Sequence, residues 1–293
     1  MPITTLLDPV VVAQLGNLEL RARRVLDGLY AGFHTNPHAG SSQIFSQHRP
    51  YAPGDDLRRL DWKVFGRTDR FLVRQYEEES NVAAQVYVDD SASMGFAHGG
   101  RPSKLEYAKV MAATIGYILV AQHDGVGLVS RDQKIKAHNN RAHLEQYCEK
   151  LEKIQPNGVW DLPHLLRSSY ESLSRRSFVV VFTDLFQNND EVLSQLRTLH
   201  SQRHEVIVFH LLDPAEIDLP FDGPVRFKDS ETGEEILTEP NVIREAYKEE
   251  VHKKLANIAQ VARGSGLEYV LLTTDTSFAK GVGAYLSFRS ATR

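Results

Sequence analysis

Cysteine is nearly missing from this chain: Cys148 is the only one in 293 residues. A lone thiol excludes an internal disulfide, fits a reducing compartment, and is expected to be a buried, inert side chain. Long apolar runs are missing too. The longest, Met111–Ala121, falls far short of the roughly 20 residues that a helix needs to cross a bilayer, so no membrane insertion is expected. The opening residues, Met1-Pro2-Ile3-Thr4-Thr5, have no basic segment before their apolar side chains and soon reach Asp8, unlike a secretory leader; a cytoplasmic location is expected. Nor is there a surplus of positive charge. The formal net charge of −4 offers no electrostatic footprint for nucleic acid. Common catalytic signatures are absent: no Gly-x-Ser-x-Gly elbow, no Gly-x-x-x-x-Gly-Lys phosphate loop, no His-Glu-x-x-His helix. There is no internal repeat and no low-complexity tract.

What remains is the balance of a soluble globular protein, 42% apolar and 25% charged. The length allows one large α/β domain, or an ordinary domain with an appendage. From Val82 onward, short β-branched runs alternate with longer amphipathic stretches, which argues for a parallel sheet with helices on its faces. Strands are expected at Val82–Asp89, Gly125–Ser130, Phe178–Thr183, Val206–Leu211 and Tyr269–Leu272. Helices are expected at Ser103–Gln122, Arg141–Lys153, Leu162–Ser174, Glu191–Ser201 and Val242–Arg263. Ser103 followed by Glu106 is a capping-box signature. Between Asp213 and Pro240 the rhythm breaks into a β-hairpin whose acidic residues read as a solvated loop face. Residues 1–80 form a different segment, with a helix over Leu18–Tyr30, expected to pack on a main domain spanning 81–293.

The chemistry concentrates at Asp89-Asp90-Ser91-Ala92-Ser93, just after the apolar run Val82–Val88. A strand that ends at Asp89 and turns lets Asp89, Ser91 and Ser93 converge above the sheet edge, where open α/β sheets place their ligands. Hard cations such as Mg²⁺ take oxygen donors of this kind. The same residues also suit an ordinary turn or helix cap. A metal site there needs a second carboxylate from a neighbouring strand end. Phe178–Phe182, a continuous apolar run typical of a buried parallel strand, ends in Thr183-Asp184. Asp184 is the expected carboxylate, holding a metal-bound water rather than the ion.

The set Asp89, Ser91, Ser93 and Asp184 resembles the metal-ion-dependent adhesion site (MIDAS) of von Willebrand factor A domains, written Asp-x-Ser-x-Ser with a Thr and an Asp from two further loops. In that family the ion is completed by a carboxylate of a binding partner, and the site is not catalytic. A more specific likeness lies upstream, in Arg49-Pro50-Tyr51-Ala52-Pro53-Gly54-Asp55-Asp56-Leu57-Arg58-Arg59-Leu60-Asp61-Trp62 followed by Val73-Arg74-Gln75-Tyr76-Glu77-Glu78-Glu79. It resembles the signature of the bacterial family catalogued as domain of unknown function fifty-eight, in which such a segment precedes a von Willebrand A-like domain. The likeness continues through Leu212–Glu216, the Asp229–Gly233 turn and Tyr285–Arg289.

The resemblance implies a three-layer, Rossmann-like α/β fold with a mostly parallel sheet, and a non-catalytic protein-binding role. It also implies Mg²⁺ or Mn²⁺ as the cofactor and a MoxR-type AAA+ ATPase as the partner, in the assembly or maturation of protein complexes. One position departs from the pattern: Gly158-Val159-Trp160-Asp161-Leu162 places Trp160 where a hydroxyl ligand belongs, and an indole offers only an N–H donor. Asp161 or a water replaces that ligand, or metal binds weakly. Asp161 before Leu162-Pro163 is equally a good helix N-cap. The upstream segment has a structural reading as well: a Tyr51–Gly54 turn, with Trp62 and Phe65 packing the appendage and the Asp and Arg residues pairing. Two rival functions stay open. One is a hydrolase with a metal on Asp89, Asp90 and Asp184, although Ser91 and Ser93 stand where aspartate-nucleophile phosphatases carry other residues. The other is a metal-free scaffold of the same fold. His98 near the motif reads as a surface residue, and Gly281-Val282-Gly283 lacks the strand a dinucleotide loop requires.

Overall fold

The structure is a computed structural model that describes residues 7–34, 48–50, 72–74, 82–159, 161–169, 173, 176–186 and 189–291. The chain divides into two compact units, Met1–Gly32 with Val82–Arg293, and Phe33–Asn81. The expected N-terminal segment 1–80 is thus shared between them. In the second unit, β1 (His48–Pro50) pairs antiparallel with β2 (Leu72–Arg74), setting Arg49 opposite Val73. The rest of the upstream signature, including Trp62 and Phe65, lies outside the described residues.

The large unit is built on β3 (Ala83–Val88), β4 (Gly125–Val129), β5 (Lys134–His138), β6 (Ser177–Thr183), β7 (Glu205–Leu212) and β10 (Glu268–Thr273), in the sheet order β10-β7-β6-β3-β4-β5. All neighbours run parallel except β5 on β4. Numbered within this sheet alone, the order is 3-2-1-4-5-6, the doubly wound arrangement, in which the crevice opens between the first and fourth strands. Those two strands are β3 and β6. The seven residues of β6 are all buried, as an unbroken apolar run flanked by strands and covered on both faces must be.

Two apolar layers enclose the sheet, because successive side chains point to opposite faces. Val86, Val88, Val180, Phe182 and Phe209 face α1 (Pro9–Ala13), α2 (Leu18–His34), α3 (Lys104–Ala121), α4 (Arg141–Lys153) and α9 (Phe278–Ala291). Tyr87, Val179, Val181 and Val208 face α5 (Leu162–Ser169), α6 (Asn189–Ser201) and α8 (Pro240–Gly264). α3 is buried on nearly every side, which matches its uniform apolar composition. Ser103 caps it, accepting from the Glu106 N–H at 3.2 Å, while the Glu106 carboxylate turns to Lys109 and Arg21 instead of closing the box. Between β7 and α8 stand α7 (Pro214–Asp218) and the antiparallel hairpin β8 (Val225–Lys228) and β9 (Glu235–Thr238), the interruption expected there.

Two elements differ from expectation. β5 is an edge strand whose Lys134-Ile135-Lys136-Ala137-His138 alternation is short and polar on its outer face. α9 carries Gly281-Val282-Gly283 inside a helix, so these glycines form no phosphate loop. Gly281 is there for proximity: a Cβ would lie 2.6 Å from Met111 Cε. Near the end of α9, buried Arg289 pairs with Asp124, the residue whose carboxylate also accepts the Val82 N–H at 3.2 Å. Among the described residues, no helix is long and apolar enough to cross a membrane.

Candidate metal-binding site

Strand register fixes the centre of the site. Val88 pairs with Phe182, and the Asp89 N–H donates to the Phe182 carbonyl at 2.9 Å, so Asp89 leaves the sheet beside Thr183 and Asp184. The Thr183 hydroxyl donates to Asp89 Oδ2 at 2.7 Å and the Ser91 N–H donates to Oδ1 at 2.9 Å. The chain then enters a short 3-10 turn, Ala92–Gly95, which brings Ser93 Oγ to 3.0 Å from Ser91 Oγ. Four expected site residues, Asp89, Ser91, Ser93 and Asp184, are buried together.

Their charges are not balanced alike. Burial, aided by the charge of Asp184, pushes the Asp89 carboxyl up to about 7 against the hydrogen bonds from Ser91 and Thr183. For Asp184 burial works in the same direction, but Lys104 outweighs it and holds the group below the usual carboxylate range. Lys104 is fully buried, with Nζ 2.8 Å from Asp184 Oδ2 and 2.6 Å from Glu216 Oε1. Burial works to lower its own ammonium, and the two carboxylates more than offset that. Glu216 is in turn held by α7, where Asp213 and Glu216 form a capping box and Arg101 pairs with Asp213 at 3.1 Å. Asp184 Oδ1 accepts the Phe186 N–H at 3.1 Å, so both of its oxygens are oriented.

The second loop is fastened to the first through its backbone. Ala92 N–H donates to the Gly158 carbonyl and Asn157 N–H to the Asp90 carbonyl, each at 2.8 Å. Asp90 points elsewhere: its Oδ2 accepts the Arg131 N–H at 3.1 Å, and Arg131 Nε lies 3.5 Å from Oδ1. Asp161 is exposed and caps α5, with Oδ1 accepting the His164 N–H at 3.0 Å. It does not line the cavity at the site, whereas Leu162 and Pro163 just after it do. Trp160 lies outside the described residues. His98 is half-buried against Phe221, with ring centroids 5.0 Å apart, and donates its N–H to Asp213 at 3.3 Å.

The cavity is about 20 Å³, room for one water or one ion. Asp89, Ser91, Thr183, Asp184 and Glu231 line it. The Ser91 and Ser93 hydroxyls lie together beside Asp89, Asp184 and Glu231. Asp89 is satisfied by the Thr183 hydroxyl and the Ser91 N–H, and Asp184 by Lys104 and the Phe186 N–H, which leaves the lone pairs of the two serine hydroxyls and of Glu231 toward the cavity. The donors that line the cavity are the oxygens a hard cation prefers. Among the described residues no group of three or more His, Cys, Asp or Glu side chains is placed to hold a metal ion, so a fit to Mg²⁺ rests on the hydroxyls as much as on the carboxylates. Lys104, Thr183 and Glu231 were not anticipated from sequence. Thr183 could have been found from the register of two strands that exit together; a buried lysine and a hairpin that folds back leave no local pattern.

The profile of the family described as "Protein of unknown function DUF58" matches residues 47–257, most of the chain. The chain belongs to the DUF58 family. Similar to this DUF58 protein are the uncharacterized protein Rv1480 of Mycobacterium tuberculosis (strain H37Rv) and Mb1516 of Mycobacterium bovis. Each is 28% identical over 291 residues, covering 96% of this chain and 90% of the relative. Among solved structures, the conserved hypothetical protein BatB from Bacteroides thetaiotaomicron is 19% identical with a TM-score of 0.45, covering 72% of this chain and 98% of that one. The SpRpn10 VWA domain is 8% identical with a TM-score of 0.40, covering 69% and 93%. The strand order described above, rather than these scores, carries the three-layer, doubly wound α/β assignment of the fold.

Proposed function

We propose that this DUF58 protein is a non-catalytic protein-binding module whose docking point is a Mg²⁺ site on Asp89, Ser91 and Ser93, with Asp184 ordering the water shell. One observation supports the reading: the buried oxygen cluster at the β3 and β6 strand ends opens between two exposed apolar side chains. Val159 is 51% exposed and Phe186 54%, and both line the cavity. Apolar anchors around a charged centre are the layout of an interaction hot spot. A bound Mg²⁺ supplies a point charge with an open coordination position for a carboxylate oxygen. Lys104 keeps Asp184 ionised, Thr183 fixes Asp89, and the tie between Ala92 and Gly158 holds the apolar rim in place. Against hydrolysis stands Asp90, committed to Arg131 rather than to the cavity. No His or Cys stands among the described residues that line the cavity.

The partner proposed is a MoxR-type AAA+ ATPase, on the family resemblance. The test is a binding titration of this chain against such an ATPase with Mg²⁺, with EDTA, and with Asp89→Ala. Binding that disappears in both altered conditions is expected; binding that survives both contradicts the reading.

A further inference from the structure

The hairpin between β8 and β9 reaches the site from a part of the chain that no metal motif includes. Its turn is built around Asp229, whose Oδ1 accepts the N–H groups of Glu231 at 2.7 Å and Thr232 at 3.1 Å, while the Gly233 N–H donates to the Asp229 carbonyl at 3.0 Å. Gly233 takes φ 77°, the left-handed conformation that closes the turn and that other residues adopt reluctantly. The result aims one side chain inward. From 231 to 237 every residue is exposed except Glu231, which is half-buried. It lines the cavity with Asp89, Ser91 and Asp184, its carboxylate beside the Ser93 hydroxyl.

We propose that Glu231 is a ligand of the metal centre supplied by the chain itself, filling the position a partner's carboxylate would otherwise take. This rests on the Mg²⁺ reading above and specifies how that site is gated. Two features of the hairpin make it a displaceable ligand rather than a fixed one. Its outer strand is barely packed, with Ile236 67% and Leu237 70% exposed. Elements with so little buried surface sit at the low-stability end of a fold and open first. The hairpin's carboxylate also lies near two other carboxylates, Asp184 and Asp229, with the Lys104 ammonium beside them. Lys104 already serves Asp184 and Glu216, so a bound cation favours hairpin closure and the two reinforce one another. A partner carboxylate reaches the ion only by displacing Glu231.

The experiment uses Mn²⁺ as the probe, with water-proton relaxation reporting how many exchangeable waters the bound ion keeps. Wild type, Glu231→Ala, Glu231→Gln and Asp89→Ala are compared, with circular dichroism confirming that each is folded. The expected result is weaker Mn²⁺ binding in both Glu231 variants, by about tenfold for the loss of one charged ligand, together with higher relaxivity per bound ion. Added acetate is expected to lower that relaxivity in the Glu231 variants and to leave wild type unchanged. Equal affinity and equal relaxivity in wild type and both Glu231 variants, with Asp89→Ala still abolishing binding, overturns the role of Glu231 alone. Absence of any Asp89-dependent Mn²⁺ binding overturns the metal site itself.

Discussion

Lys104 has no solvent to fall back on. It joins Asp184 and Glu216, and removing it leaves two carboxylates, one of them fully enclosed, without their cation. Breaking a buried pair in this way typically costs about 3–5 kcal/mol, and Lys104→Met is expected to lower stability by that order in urea unfolding. Asp89 behaves oppositely. Its carboxyl stands at about 7 in the folded chain against an ordinary 3.8. Between those values the folded state holds a proton that the unfolded chain has released, so the metal-free protein is destabilised as pH rises through that window. The penalty is on the order of a few kcal/mol above pH 7. Urea midpoints measured in EDTA at pH 5 and pH 8 are expected to differ less in Asp89→Asn than in wild type. An identical pH dependence in the two proteins contradicts the assigned burial of Asp89.

The C-terminal helix α9 shows how one residue type serves two ends. Gly281 meets Met111 Cε at 2.6 Å and Leu272 Cδ1 at 3.0 Å from where a Cβ would stand, whereas Gly283 meets nothing within 4 Å. Gly281→Ala is therefore expected to be less stable than Gly283→Ala, since the Met111 and Leu272 side-chain ends must shift and offset the gain in helix propensity. Gly283→Ala is expected to stabilise by roughly 0.5–1 kcal/mol through helix propensity. Thermal melts of the two variants test the contrast. The same glycines explain why α9 was not legible in the sequence, since they break a helical pattern that tertiary packing restores. β5 escaped because alternate residues are lysine and histidine, so only Ile135 and Ala137 signal a strand. By contrast β3 and β6 were legible end to end: each is an apolar run terminated by the carboxylate that matters. That regularity made the pairing of Asp89 with Asp184 readable, because parallel neighbours of similar length end at the same sheet edge. Asp161 belonged to the cap and not to the cavity, and Glu231 read as solvent-facing because nothing local tells where a hairpin folds back.

The large unit as a whole is a rigid sheet that presents a small polar centre at its topological switch point. Its strands and helices supply the stability, and the loops supply the chemistry. Ligand linkage makes the site visible in bulk behaviour. If Mg²⁺ binds the folded chain alone, a concentration a hundredfold above its dissociation constant stabilises the fold by about 2.7 kcal/mol. The expected rise in melting temperature with Mg²⁺ is absent in Asp89→Ala. The most direct measurement is calorimetric titration of Mg²⁺ into the metal-free chain, wild type beside Asp89→Ala, both shown to be folded. The account predicts one binding event per wild-type chain and none in the variant; equal heats in both, or none in wild type, would contradict it.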